Sequence, residues 1–180
     1  PEPERTHLPG HAPTKIQPKV QEDDEEYTRI GLGHAKQPEE TEAMLETLRG
    51  KVQDAVENME QAEKAAYLEA VSRVPDLVEA ESGVVRFLRC TDYAATAAAQ
   101  RLVKYWNIRK TLFGERTFLP MTQTGTGALT QDDVVILSSA AMAILPADNV
   151  NRSILITDRT RSLDSTTVSL EGKLRCWFYL

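Results

Sequence analysis

VVRFLRCTDYAATAAAQRLVKYWNIRKTLFG, Val84 to Gly114, is the stretch that decides how the rest of the chain is read. Val84, Val85, Phe87 and Leu88 make a short apolar helix end, which breaks at Thr91-Asp92. A longer helix follows. Ala95, Ala98, Leu102, Tyr105 and Leu112 lie on one face, and Ala99, Trp106 and Phe113 widen it. Steps of three and four residues mark that stripe as helical rather than stranded. Gly114 supplies the left-handed residue that commonly stops a helix. Counted through Arg116, the stretch carries seven basic residues against two acidic ones, in a chain whose formal net charge is −6. A solvated face of an amphipathic helix is the plain explanation of that charge, and contact with phosphate groups, lipid head groups included, is the functional one. The acidic balance of the whole chain excludes general nucleic-acid binding, which needs a basic footprint.

Toward the N-terminus the pattern stays helical from Pro38. Leu45, Leu48, Val52, Ala55, Met59, Ala62 and Ala66 recur as a heptad over about three repeats. A coiled coil competes there with a helix packed on its own domain, and Gly50 and the alanines along the seam favour the latter. Pro75 ends or kinks the run after Val74, and Leu77-Val78 lead through Glu79 to Gly83 into the central stretch. Residues 1–37 hold five of the nine prolines, all three histidines and the acidic run Glu22 to Glu26, a composition that reads as disordered. Pro9 between His7 and His11 denies that pair a shared helix face, so no metal site is expected.

Toward the C-terminus, Thr117 to Pro120 forms an apolar link and Thr122 to Leu129 a glycine-containing loop. Gly125-x-Gly127 invites a nucleotide-loop reading but has no preceding strand, no third glycine and no Lys-Ser/Thr ending; a mobile loop is expected. Thr130 with Asp133 reads as a helix N-cap and first-turn acid, opening a helix with Val134, Leu137, Ala141 and Leu145 on one face, stopped at Pro146. Ser153 to Asp158 is a short β-rich run, apolar on both faces, as in a strand covered on both sides of a sheet. As the one confident strand, it would need partners in a missing C-terminal part or in another chain. Leu170, Leu174, Trp177 and Phe178 place an aromatic face on a final helix that would need burial. With no initiator Met and an ending at that stripe, the chain reads as cut off within a domain, and the piece alone is expected to expose apolar surface. No apolar run reaches the roughly 20 residues of a membrane span, no secretory signal opens the chain, and Cys90 and Cys176 read as reduced, buried thiols in a cytosolic protein.

The order of these pieces resembles the N-terminal lobe of CRAL-TRIO lipid-binding proteins. The residues that carry the resemblance are Phe87-Leu88-Arg89, Ala98, Arg101-Leu102-Val103, Tyr105-Trp106, Arg109 and Phe113-Gly114. Asp148 with Asn151 to Ile156 looks like the turn and first strand that follow in the family, Asp158 to Arg161 like its exit loop, and Arg175 to Leu180 like the next helix. The resemblance spans about residues 60 to 180. Thr91 to Ala94 depart from it where the family has a basic residue and a Phe-Asp pair, which moves the expected helix cap to Asp92. Asn151 and Ser153 replace the family's glycine and proline at the turn.

The resemblance implies a mainly α fold in the part present, leading into an α/β lipid-binding domain that is truncated. Its parts would be a Pro-rich acidic tail (1–37), a helical lobe (38–116), a connector and helix (117–146), and the first strand and helix of the α/β domain (147–180). It implies non-catalytic binding or transfer of a hydrophobic ligand, a lipid such as a phosphoinositide or other phospholipid, with peripheral membrane contact, no cofactor and no nucleic acid. Ile154, Ile156 and Trp177 would border the cavity, with ordinary core as the competing reading for each. Phe87, Leu88, Arg89, Leu102, Tyr105, Trp106 and Arg109 form the lobe signature, Tyr105 and Trp106 as core rather than ligand contacts. A helical protein–protein interaction module using the 45–66 heptad is the alternative. Catalysis ranks third: no histidine lies beyond His34, the cysteines sit in apolar helices, and metal-ligand spacing is absent.

Overall fold

The computed structural model describes residues 40–139, 141–146, 154–158 and 168–180. The tail of 1–37 and the turn at Asp148 and Asn151 to Ser153 therefore lie outside the described residues, as does the exit loop beyond Asp158. The described chain is mainly helical with one small two-stranded sheet.

Thr41 opens α1 (Glu42–Glu57), its hydroxyl accepting the Met44 N–H at 3.3 Å. Leu45, Val52 and Val56 are the buried positions of α1. The heptad does not continue as one helix: α1 ends, and α2 (Gln61–Arg73) begins only after Asn58 to Glu60. The cause is local. Asn58 turns its side chain back to donate to the Asp54 carbonyl at 2.8 Å, and Lys64 Nζ donates to the carbonyls of Val56 and Glu57. Side-chain bonds thus satisfy the orphan carbonyls of a helix end.

Pro75 occupies the first position of α3 (Pro75–Ser82), where its missing N–H costs nothing. It starts a helix as well as ending one, so Leu77-Val78 are helical rather than a lead-in. After Gly83 come α4 (Val84–Arg89) and the break, then α5 (Ala95–Phe113). At the break Asp92 and Tyr93 both take positive φ, 49° and 61°. Asp92 is not the cap; Ala94 stands at that position without a side-chain bond. Aspartate tolerates the left-handed region, and the break uses that tolerance rather than its capping oxygen.

α5 is the axis of the fold. It contacts α1, α2, α4 and α7. Ala98, Ala99, Leu102, Val103, Trp106, Arg109 and Phe113 are its buried positions, and the two alanines are fully covered, which lets the flanking helices approach closely. The main core joins Val52, Val56, Ala66, Ala70 and Leu88 to this face. Asn107 Nδ2 donates to the Glu63 carbonyl, and Lys110 pairs with Glu69, fastening α5 to α2 at the surface. Gly114 takes φ +52° and leads into a short 3₁₀ turn, Gly114–Arg116.

α6 (Gln131–Ser138) opens on a full capping box, with Thr130 Oγ1 accepting the Asp133 N–H and Asp133 Oδ2 accepting the Thr130 N–H. It stops at Ser138, not at Pro146. Ser138 and Ser139 donate their hydroxyls to the Val134 and Ile136 carbonyls, and the chain leaves the helix there. Ala141 and Leu145, expected on that helix face, instead flank β1 (Met142–Ile144), which pairs antiparallel with β2 (Leu155–Thr157) in the register Met142↔Thr157, Ala143↔Ile156, Ile144↔Leu155. The strand partner is thus within the chain. β2 is exposed along its length rather than covered on both faces.

α7 (Leu170–Tyr179) packs on α6 through Gly172 and Cys176, its buried positions. A Cβ on Gly172 would lie 2.9 Å from Ile136 Cδ1, so the two helices approach closely here and a larger residue would require the end of the Ile136 side chain to shift. Leu170, Leu174 and Trp177, read as the buried face, are exposed; Phe178 alone of that set turns inward, against Phe113 and Tyr105. Among the described residues no helix is long and apolar enough to cross a membrane.

Candidate functional site

The site is built around a buried cation. Arg109 is fully covered although it sits on the apolar stripe of α5. Its Nε donates to the Thr117 carbonyl at 2.8 Å, Nη2 to the Leu119 carbonyl at 2.7 Å, and Nη1 to both the Glu81 carboxylate and the Tyr105 hydroxyl. Glu81 in turn accepts the Met121 N–H at 2.6 Å. The guanidinium lies 4.8 Å from the centre of the Trp106 ring, whose Nε1 donates to Ser82 Oγ. One ion pair therefore ties α3 and α5 to the 117–121 segment. A buried charge is tolerable only with partners of this kind.

Above this hub lies a cleft of about 400 Å³. Phe87, Tyr105 and Phe178 supply its aromatic surface. The Phe87 and Tyr105 rings meet edge to face at 5.9 Å, and Tyr105 stacks on Phe178 at 4.9 Å. Met121 and Leu180 add apolar wall, and Ala80, Arg86 and Cys90 lie at its exposed border. Burial pushes the Tyr105 hydroxyl above the usual tyrosine range, and the nearby Arg109 charge only partly opposes that shift. The cleft thus combines an aromatic surface with polar and charged groups, a mixture that a small-molecule site can use.

Of the lobe signature, Phe87 and Tyr105 reach this cleft, so Tyr105 is a cleft wall as well as a neighbour of the core. Leu88, Leu102 and Trp106 are buried core, and Arg109 lies beneath the cleft. Arg89 is at the surface, where both its Nε and Nη2 donate to Glu40 at 2.7 Å; together with a bond from Tyr93 they hold the Glu40 carboxyl at about 2. Ile154, Ile156 and Trp177 are not brought to the cleft; they are 57%, 46% and 46% exposed. Ala80, Glu81, Arg86, Cys90, Met121, Tyr179 and Leu180 also line it, and none of them is a candidate site residue in the sequence. Met121 and Glu81 are joined across 40 positions by a backbone N–H, which leaves no trace in side-chain periodicity.

The Gly125-x-Gly127 loop is bound to the fold. Arg116 donates to the carbonyls of Gly125, Gly127, Ala128 and Leu129, and a Cβ on Gly127 would fall 2.2 Å from the Pro120 carbonyl oxygen. Converging carbonyls on a guanidinium are the reverse of a phosphate loop, which presents N–H groups. The loop is a fixture that shapes the 117–121 segment, not a mobile one.

The two thiols differ. Cys176 is buried, and burial next to the Asp133 charge pushes it up to about 11; Cys90 is exposed rather than buried. Asp133, placed in the sequence as a first-turn acid, is also fully covered and receives Arg175 through two parallel bonds of 2.9 Å. Among the described residues no three His, Cys, Asp or Glu side chains gather as a metal site. Comparison with family models, with curated proteins and with solved structures finds no match to this chain.

Proposed function

We propose that this chain binds a hydrophobic small molecule without transforming it, in the cleft between α3, α4, α5 and the end of α7. The observation that carries the reading is the aromatic surface of Phe87, Tyr105 and Phe178 in a cleft of about 400 Å³. That volume lies at the lower end of the ~300–1,000 Å³ typical of ligand sites, which favours a single-chain lipid or a molecule of similar size over a whole diacyl phospholipid. The resemblance of Phe87 to Gly114 to the CRAL-TRIO helical lobe supports the same class of ligand, and under it the 147–180 segment would begin an α/β lipid-binding domain. A cytosolic protein in peripheral contact with membranes is the setting this reading implies. The 45–66 heptad is a weaker basis for function, because Val52 and Ala66 are buried in the chain's own core and Leu48, Ala55 and Met59 pack against it.

Ala80 gives the direct test, since it is exposed and borders the cleft. Ala80→Trp should fill the cleft without removing any core atom. Titration with a fluorescent single-chain fatty acid should give saturable binding to the wild type, weakened at least about tenfold in Ala80→Trp (about 1.4 kcal/mol), with the thermal melt unchanged. Equal binding by both proteins would place the ligand elsewhere.

A further inference from the structure

Sorting the basic residues of the central stretch by what they touch separates four from three. Arg89 pairs with Glu40, Arg109 with Glu81 and Lys110 with Glu69, and Arg116 is spent on four carbonyls. Arg86, Arg101 and Lys104 have no carboxylate partner among the described residues. Two of the three reach the border of the cleft. Arg86 lines the cleft and donates to the Glu81 carbonyl at 2.8 Å; Arg101 donates to the carbonyl of Cys90, another cleft residue, at 3.0 Å. Arg101 lies four residues before Tyr105, on the same side of α5, and Lys104 lies one turn from Arg101. The acid nearest the cleft, Glu81, is already neutralised by Arg109 and the Met121 N–H, so it does not cancel this charge. Asp92, in the turn after Cys90, is the local acid set against three cations.

We infer that the cleft takes a single-chain amphiphile with an anionic head, its chain on the Phe87, Tyr105 and Phe178 rings and its head between Arg86 and Arg101 at the border. The inference rests on the cleft reading above and adds the sign of the ligand's charge. Both arginines keep donors free for an oxyanion, because among the described residues each gives one hydrogen bond, to a neutral carbonyl, and a guanidinium carries five N–H groups. Arg86 and Arg101 are exposed, so replacing them spares the core.

The test uses calorimetric titration of the full chain with dodecyl phosphate, dodecyl maltoside and inorganic phosphate, each detergent below its micelle concentration. Dodecyl phosphate should bind about tenfold tighter than the maltoside, a difference of the size of one charge-assisted hydrogen bond. The double variant Arg86→Gln, Arg101→Gln should lose that difference while binding the maltoside as the wild type does. Equal affinity for the two detergents, or a preference that survives in the double variant, would overturn the anionic head and leave the cleft reading intact. Inorganic phosphate binding as tightly as dodecyl phosphate would overturn it as well, by making a free anion the occupant. Absence of binding by either detergent would sink the cleft reading itself.

Discussion

Arg109 shows how a residue counted with a solvated basic face can belong to the core. Its position on the apolar stripe of α5 puts it inside, and there it must find an acceptor for every N–H it can aim. Glu81, Tyr105 and two carbonyls of the 117–121 segment supply them. Truncation would strand a carboxylate and two carbonyls in a covered site. Arg109→Ala is expected to cost about 3 kcal/mol or more in denaturant unfolding. Arg109→Lys should recover little of it, since an ammonium cannot reproduce the planar fork. A lysine variant as stable as the wild type would show the geometry to be immaterial. Tyr105, one turn before it, is the partner that the stripe offers; the others are not legible there, because two are backbone carbonyls and Glu81 lies 28 positions away.

At the scale of elements, the contact between α6 and α7 turns on Asp133. Burial alone would push its carboxyl up, but Arg175 and the Thr130 N–H more than offset this and hold it below the usual aspartate range. A carboxyl depressed in the folded state stabilises at neutral pH and loses that contribution as pH falls through its folded value. The melt should therefore weaken on acidification below about pH 4. Asp133→Asn should already be about 2–3 kcal/mol less stable at pH 7 and respond less to acid. An identical acid response in the variant would remove Asp133 from this account. The helices of the central stretch, the cap at Thr130 and the stop at Gly114 were legible because caps and periodicity are local signals. The break at Asn58, the start of α3 at Pro75 and the hairpin were not. At Asn58 and at the hairpin a short side-chain or strand-to-strand bond overrides a pattern that by itself fits a longer helix, at Pro75 the proline takes the first position of a new helix, and Ala141 to Leu145 could be told from helix only by its partner β2.

For the molecule as a whole, the sequence located the helical lobe but not the cleft. Phe87 and Tyr105 lie in the stretch that decides the fold, whereas Phe178, Met121 and Glu81 join them only through tertiary packing. Apolar side chains of the second half divide accordingly: Phe178 turns toward α5, and Ile154, Ile156, Leu170 and Trp177 face outward. Two different surfaces are therefore open to a hydrophobic ligand, the aromatic cleft and the outer face of β2 with α7. A backbone amide NMR titration of the full chain with a single-chain amphiphile separates them. The account predicts saturable shifts at Phe87, Cys90, Tyr105, Met121 and Phe178, with Ile154, Ile156 and Trp177 left in place. Shifts centred on Ile154, Ile156 and Trp177, with the cleft residues unmoved, would contradict it.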